Sequence, residues 1–161
     1  MEYISEEGTI LNSEVKNIDQ LRAGSYKYFK NNDILIAKIT PCMENGKCAI
    51  ARDLINGIGF GSSEYHVLRC DNSIILPEIL FGFLNRDKIR YEAANNMTGA
   101  SGHRRVPINF YKNLKINLPT MDEQKEILNK LYEMERKINE LRENQIDLNK
   151  EIGKVLDNYL I

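Results

Sequence analysis

The sequence predicts an α+β fold, in which a small mixed sheet with interspersed helices is followed by one long C-terminal coiled-coil helix. Short β-rich runs bounded by Asn, Gly, Pro and Ser occupy the first two thirds of the chain. An unbroken heptad repeat of apolar residues occupies the last forty residues. The change between these two patterns divides the chain into predicted domains at 1–119 and 120–161.

The strands and helices of the first domain are predicted from the turn-forming residues that bound each run and from the spacing of the apolar residues. A segment that begins at Pro77 repeats apolar residues near the helical spacing as far as Asn95 and Asn96, which predicts a helix. A shorter helix is predicted over 13–21. The predicted strands are 33–38 (DILIAK), 47–51 (KCAIA), 65–69 (YHVLR) and 113–118 (NLKINL).

The C-terminal helix is predicted from apolar residues that recur at alternating steps of four and three. Thr120 followed by Glu123 forms a capping box, so the helix should begin near Met121. About 40 residues make a rod on the order of 60 Å long, which a small domain cannot cover, so we expect a second helix to pack along it. Gln145 is the one polar seam position, where a buried amide favours a single register. The seam consists of Ile127, Leu131, Met134, Ile138, Leu141, Gln145, Leu148, Ile152, Val155 and Tyr159.

Composition and cysteine usage bound the class of protein. The 161 residues are 42% hydrophobic and 28% charged, which is typical of a globular domain. No apolar run approaches the length of a membrane span and no basic-then-apolar leader is present, so we expect a soluble, cytoplasmic protein without a membrane partner. Cys42, Cys48 and Cys70 form no Cys-x-x-Cys pair, which argues against a disulfide framework and a zinc knuckle.

The net charge of −1 hides a difference between the two parts of the chain. Residues 1–120 hold 15 Lys and Arg against 13 Asp and Glu, whereas residues 121–161 hold 7 against 10. Within the first part, 97–115 carries Arg104, Arg105, Lys112 and Lys115 and no acid. A local basic patch is therefore predicted on a nearly neutral protein.

Catalytic interpretations find little support in the sequence. Asp33, Glu44 and Lys47 are the residue types of a metal-dependent nuclease, but Asn45-Gly46 separates the last two and predicts a hairpin turn. A nuclease lysine two positions from its acid on a strand would share its face, which a spacing of three does not give. A methyltransferase would need a glycine-rich cofactor loop that is absent. His66 and His103 lack a metal-ligand spacing.

Four blocks of the sequence, in this order, resemble the specificity subunit of type I restriction-modification enzymes. The blocks are 33–47 (DILIAKITPCMENGK), 59–69 (GFGSSEYHVLR), 98–107 (TGASGHRRVP) and 118–127 (LPTMDEQKEI). Family members usually have Leu-Pro-Pro where this chain has Leu-Pro-Thr at 118–120, a departure that affects the helix entry. The family's domain also tends to begin earlier than the opening residues Met-Glu-Tyr-Ile of this chain, so a shortened opening element is expected.

The resemblance implies a division of labour between this chain and its partners. In that family a target recognition domain reads half of a split DNA sequence, and a long helix packs antiparallel against its counterpart as a spacer. Methyl transfer and cleavage reside on other subunits. The chain is therefore expected to be no enzyme and to bind no cofactor itself, with S-adenosylmethionine on a partner methyltransferase. The expected partners are double-stranded DNA, the methyltransferase subunit, a restriction subunit and a second copy of this chain.

The candidate DNA contacts lie in two loops and two lysines. In the loop 98–107, glycines let the backbone approach a phosphate, and two arginines offer forked donors to phosphate or guanine. The alternative is a solvated basic loop, and the second loop is equally typical of an ordinary turn. The candidates are Gly102, His103, Arg104 and Arg105 in the first loop, Ser62, Ser63, Glu64 and His66 on a second surface where the turn enters the strand 65–69, and Lys38 and Lys47.

A competing hypothesis of another class also fits the sequence. The chain would then be an assembly or inhibitory module that binds the methyltransferase subunit through its coiled coil and reads no DNA. Both hypotheses predict a complex with that subunit, and only the first predicts recognition of a bipartite sequence.

Overall fold

The computed structural model describes residues 3–6, 8–11, 14–20 and 26–159. It divides into two compact units, Met1–Leu118 and Pro119–Ile161. Within the described ranges, nine strands and α-helices follow in chain order, namely β1 (Tyr26–Lys30), β2 (Ile34–Ala37), β3 (Cys48–Ile50), β4 (Ile58–Ser62), β5 (Tyr65–Leu68), α1 (Pro77–Leu84), α2 (Asp87–Asn95), α3 (Ile108–Lys112) and α4 (Met121–Tyr159). The α+β class predicted from the sequence is confirmed.

The expected mixed sheet is instead two small sheets in which every described pairing is antiparallel. One has the order β3-β2-β5 and the other pairs β1 with β4. Strand β2 is buried on both faces, which explains its continuous apolar sequence ILIA. Ile34 and Ile36 pack with residues of α1, α2 and α3, whereas Leu35 and Ala37 pack with Phe29 and Tyr65 on the opposite face.

The segment after Pro77 forms two helices rather than the single predicted helix over 77–96. The chain leaves helical geometry at Arg86, where ψ is 140°. Leu84 and Ile89 are both buried, yet five residues turn a continuous helix by about 140° relative to the starting direction. The break therefore lets both side chains face the core.

Two other predicted elements differ from the structure. Residues 113–118 form no strand, and Leu114 and Ile116 are half-buried by packing without a sheet ladder. In the predicted helix over 13–21, only Ile18–Gln20 forms a single 3-10 turn, and Ser13 and Leu21 lie outside the described residues. Alternation and local propensity alone do not supply the pairing partners that a strand needs.

The turn predicted at Asn45-Gly46 is present, although it belongs to a longer connection between β2 and β3. The Gly46 N–H donates to the Met43 carbonyl at 2.9 Å, and the Lys47 N–H donates to the Cys42 carbonyl at 3.0 Å. Gly46 adopts a φ of 78°, which favours glycine, whereas Asn45 does not adopt a positive φ. The connection is therefore a compact loop of successive turns and not a two-residue hairpin.

Helix α4 begins where the capping box predicts. The Thr120 N–H donates to Glu123 Oε2 at 2.8 Å, and the Glu123 N–H donates to Thr120 Oγ1 at 3.4 Å. Its 39 residues span roughly 58 Å at 1.5 Å per residue. The nine apolar seam side chains are between 38% and 84% exposed, so the seam is open along the helix. No helix among the described residues is long and apolar enough to cross a membrane.

Candidate nucleic-acid interface

Three segments that are distant in the sequence meet where β2 ends. The Lys38 N–H donates to the Glu64 carbonyl at 3.0 Å, and the Val106 N–H donates to the Lys38 carbonyl at 2.8 Å. The Thr40 N–H donates to the Arg104 carbonyl at 3.0 Å. The segment that leaves β2 thus lies between the turn 62–64 and the returning limb of the loop 98–107, and it brings most of the predicted contact residues together.

Arg105 binds Glu64 through both arms of its guanidinium group. Its Nε and Nη2 donate to the two Glu64 carboxylate oxygens at 2.9 Å each, and its Nη1 donates to the His103 carbonyl at 2.9 Å. The sequence predicts that Arg105 offers its fork to DNA, but here that fork is bound within the protein. In this state Arg105 holds the loop 98–107 against the turn 62–64, and its contact with DNA stays a prediction.

The Glu64 carboxylate is stabilised in its charged form by the cations around it. Hydrogen bonds from Arg105 hold its pKa below the ordinary value, and they outweigh burial, which acts in the opposite direction. Lys38 Nζ lies 4.0 Å from Glu64 Oε2 and adds a weaker attraction. One carboxylate therefore lies between two of the cations predicted to contact DNA.

Arg104 also has a carboxylate partner, but a looser one. Its Nη2 donates to Glu44 Oε1 at 3.2 Å, and the Thr40 hydroxyl donates to the same oxygen at 3.3 Å. Glu44 Oε2 is buried and has no hydrogen-bond partner among the described residues. Because Arg104 is held by a single contact, it can change partners at a lower cost than Arg105.

The tip of the loop 98–107 is open to solvent. Gly99 and Gly102 adopt φ values of 114° and 79°, and a Cβ atom added at Gly102 would meet nothing within 4 Å. The His103 N–H donates to the Ala100 carbonyl at 3.0 Å, and its side chain is exposed. The backbone at this tip is accessible to a phosphate, as the glycine pattern predicts.

His66 and the two serines have more local roles. His66 Nε2 lies 2.8 Å from the Val106 carbonyl, which only accepts, so Nε2 carries the proton. Burial lowers the His66 pKa, and its ring packs edge-on against Tyr111. The Glu64 N–H donates to Ser62 Oγ at 3.1 Å, and Ser63 is exposed at the turn. Their contacts with DNA stay predictions.

Both acidic residues of the nuclease hypothesis are bound to arginines. Asp33 is 1% exposed, and it accepts hydrogen bonds from Arg69 at 2.7 and 2.6 Å and from the Lys30 N–H at 2.8 Å. Burial opposes its ionisation, but these bonds lower its pKa. Glu44 binds Arg104, and Lys47 directly precedes β3. The described residues contain no group of three potential metal ligands.

Three arginine–carboxylate pairs and the pairing of β1 with β4 were not predicted from the sequence. Each ion pair joins residues that are at least 36 positions apart in the sequence, so no local sequence pattern predicts it. A signal for the missed strand β4 was present in the sequence, because Gly59 and Gly61 alternate with Ile58, Phe60 and Ser62. Alternating glycines indicate a strand with a large side chain packed over one face.

The described chain thus combines an α+β domain that carries a loop surface of arginines and carboxylates with a following helix whose apolar seam is exposed. Comparisons with known proteins identify the class. The family model of the type I restriction modification DNA specificity domain matches residues 1–157. The chain therefore belongs to the family of type I restriction modification DNA specificity domains.

Two curated relatives and two solved structures are similar to this chain. The EcoAI and EcoEI type I restriction enzyme specificity subunits of Escherichia coli are 41% and 35% identical over 115 residues, or 71% of this chain and 19% of each relative. The HsdS subunit from Thermoanaerobacter tengcongensis has a TM-score of 0.77 at 20% identity, covering 98% of this chain and 40% of that one. A chain from a study of complex assembly and conformational transition of the type I R-M system has a TM-score of 0.74 at 22% identity, covering 99% and 40%.

The chain matches only part of the length of each of these relatives. The chain spans about a fifth of the length of the curated relatives and two fifths of the solved chains. The matched relatives are specificity subunits, the non-catalytic recognition components of restriction enzymes. This match agrees with the prediction that the chain is not an enzyme.

Proposed function

We propose that this chain is a sequence-specific DNA recognition half-subunit of a type I restriction-modification system. Its first unit reads one half of a bipartite target, and α4 pairs antiparallel with the helix of a second copy. The resulting pair directs a methyltransferase, which binds S-adenosylmethionine, and a restriction subunit to the site. The family match over 1–157 supports the DNA-reading part of this proposal.

The observation that carries the pairing is the exposed seam of α4. Nine apolar side chains stand open at heptad spacing along the helix. Fully burying such a side chain contributes about 1.5–3 kcal/mol, so the seam favours association with a second helix. An isologous antiparallel pair puts one recognition unit at each end and relates them by a two-fold axis.

The pairing sets an upper limit on the gap between the two half-sites. A rod on the order of 60 Å corresponds to about 17 base pairs at ~3.4 Å per pair. Overlap of the two helices makes the gap smaller than this limit. The target should therefore be an inverted repeat with a gap of fixed length.

One observation favours the competing assembly or inhibitory module. The guanidinium groups of Arg105 and Arg104 are both bound to carboxylates, so neither arginine is offered freely to DNA. A module that binds only the methyltransferase through α4 needs no free arginines.

The two candidates are distinguished by DNA capture. The complex of this chain with a type I methyltransferase subunit should retain one bipartite duplex from a random pool, and the methylated positions should map to the same sequence. An assembly module would form the same complex and retain no particular duplex. That result would overturn the recognition proposal.

A further inference from the structure

Strands β1 and β4 form a two-stranded ribbon with two chemically different faces. Opposed residues of an antiparallel pair share a face. The outer face consists of the opposed pairs Tyr26 with Ser62, Tyr28 with Phe60, and Lys30 with Ile58. We call these six residues the ribbon face.

The other side of the ribbon is fixed to the core through Phe29. This side chain is buried and lies over β4, where a Cβ atom at Gly59 would stand 2.4 Å from the Phe29 ring and one at Gly61 would stand 3.1 Å from it. The two glycines therefore allow close packing beneath the ribbon. The ribbon face above is consequently supported by a packed layer.

The ribbon face exposes large apolar side chains next to one another. Tyr26, Tyr28, Ile58 and Phe60 are between 38% and 44% exposed. The rings of Tyr28 and Phe60 lie 5.6 Å apart between centroids. Single exposed apolar residues are ordinary on protein surfaces, but an adjacent group of four indicates a contact surface.

The charge of the ribbon points to a polyanion as its partner. The ten residues of β1 and β4 include Lys27 and Lys30, both exposed, and no carboxylate. Lys30 lies on the ribbon face itself, opposite Ile58. Exposed lysines without neighbouring acids in the ribbon complement the phosphates that border a DNA groove.

The ribbon face is continuous with the three-segment surface that is predicted to contact DNA. Ser62 is the last residue of β4, and its hydroxyl accepts the Glu64 N–H at 3.1 Å. Glu64 in turn binds Arg105 of the loop 98–107. One end of the ribbon therefore adjoins the three-segment surface described above.

We propose that the ribbon face enters the major groove of the target DNA and reads base edges there. This inference rests on the proposed function and names the element that performs the reading. The major groove is about 12 Å wide and admits a two-stranded ribbon, whose strands lie about 4.8 Å apart. The apolar rings contact thymine methyl groups, the Tyr26 and Tyr28 hydroxyls hydrogen-bond to base edges, and Lys30 approaches a flanking phosphate.

A tryptophan reporter tests this placement. The chain contains no tryptophan, so Tyr28→Trp places a single tryptophan on the ribbon face, and its emission can be followed separately from that of the tyrosines. The matched control is Tyr91→Trp on α2, where the native side chain is 70% exposed. The probe is a duplex that the wild-type chain selects from a random pool, and a scrambled duplex of equal length is the reference.

The ribbon reporter should respond to DNA and the control should not. We expect the selected duplex to quench and shift the emission of the Tyr28→Trp protein, with little change in the Tyr91→Trp protein. Binding is followed separately by the anisotropy of a labelled duplex. If that anisotropy reports binding while the Tyr28→Trp emission stays constant, the ribbon lies outside the groove and the inference is wrong. If the wild-type chain selects a duplex only in complex with the methyltransferase subunit, both reporters are read in that complex. If that complex also selects none, the proposed function fails and the inference falls with it.

A second variant separates base reading from general attraction. Tyr28→Ser with Phe60→Ser should reduce the preference for the selected over the scrambled duplex by about tenfold or more, with an unchanged salt dependence because no charge is removed. Tyr91→Ser should leave the preference intact. An unchanged preference in the folded double variant would contradict the inference. A Tyr28→Trp emission that responds to the methyltransferase subunit and not to DNA would reassign the ribbon face to a protein partner.

Discussion

The carboxylate of Glu64 occupies the position of an anion between Arg105 and Lys38. Its bidentate geometry with Arg105 is the same geometry that arginine uses toward phosphate or guanine. While Glu64 is bound, the charge of Arg105 is largely neutralised at short range and its orientation is fixed. Contact with DNA through this fork therefore requires Glu64 to be displaced or to remain as a positioning partner.

Glu64→Gln tests the effect of this internal anion. The substitution removes one negative charge, so we expect tighter binding to duplexes of any sequence and a steeper salt dependence, together with a loss of about 1 kcal/mol of stability. The measurements are titrations at several salt concentrations and thermal unfolding. Glu78→Gln is the control, because Glu78 pairs with Arg52 beyond the opposite end of β2. Identical DNA binding in wild-type and Glu64→Gln proteins would show that the pair is purely structural.

Arg104→Ala should weaken DNA binding more than Arg105→Ala does. Arg104 has one carboxylate contact at 3.2 Å, whereas Arg105 is bound at three positions. We expect Arg104→Ala to reduce the salt slope by about one phosphate contact, and Arg105→Ala chiefly to lower the unfolding temperature. The reverse order of effects would make Arg105 the DNA ligand.

The stability of the first unit should fall in mild acid because of His66. Burial lowers the His66 pKa in the folded state from the ordinary 6.5, so the unfolded chain takes up a proton first as the pH falls. Stability is therefore highest above about pH 6.5 and declines below it. Below about 4.5, protonation of Glu64, whose folded pKa is also lowered, adds a second loss. Unfolding temperatures at pH 7.5 and 5.5 should differ less in His66→Gln than in the wild type.

At the scale of elements, the seam and the ribbon show two ways in which a pattern specifies structure. The capping box and the heptad repeat of α4 are both local patterns in the sequence. They were therefore sufficient to predict where α4 begins. The ribbon depends on Phe29 meeting Gly59, a contact between residues far apart in the chain. The glycine alternation was visible, but the side chain that fills the space above it was not.

Gly59→Ala should destabilise the first unit, whereas Gly82→Ala should not. A methyl group at Gly59 would lie 2.4 Å from the buried Phe29 ring, so the ribbon must shift at a cost of about 1–3 kcal/mol. At Gly82, on α1, a methyl group meets nothing within 4 Å, and alanine favours the helix by about 0.5–1 kcal/mol. Chemical denaturation of both variants measures the difference. Equal stabilities would mean that Phe29 does not restrict β4.

Ile138→Asp with Leu141→Asp should convert the proposed dimer into a monomer. Two carboxylates at adjacent seam positions cannot be buried against a second helix without a large desolvation cost. Asn129→Asp with Arg136→Gln, on the opposite side of the heptad, changes the net charge equally and should leave the dimer intact. Sedimentation of both variants measures the oligomeric state. An unchanged oligomer in the first variant would exclude the seam as the interface.

At the scale of the whole molecule, the sequence predicted the architecture better than the state of the site. The α+β class was predicted from short β-rich runs bounded by turn-forming residues, and the position of α4 was predicted from its heptad repeat. Most candidate contact residues do converge, because the loops that carry them flank the end of β2. Their internal partners escaped prediction, since Glu64 and Arg105 are 41 positions apart and Asp33 and Arg69 are 36 apart.

Cells that carry this chain and a methyltransferase partner should contain an inverted-repeat methylation site. An identical second copy requires the same half-site in both directions, with a gap below about 17 base pairs. Mapping of methylated positions across the genome measures both properties. Two unrelated half-sites would show that the second half is supplied by a different chain.

In the proposed dimer, Gln145 would fix the register of the two helices and therefore the spacing between the two half-sites. The midpoint of the seam from Ile127 to Tyr159 falls two residues before it, so in an antiparallel pair the two amides occupy neighbouring layers beside the symmetry axis. Each amide both donates and accepts hydrogen bonds. If one helix shifted along the other by one heptad, each amide would lie among aliphatic side chains without a hydrogen-bond partner from the other helix. Such a slip moves the rod ends by ~10 Å, or about three base pairs. The length of the gap in the DNA sequence that the complex recognises would then depend on a single amide that contacts no nucleotide.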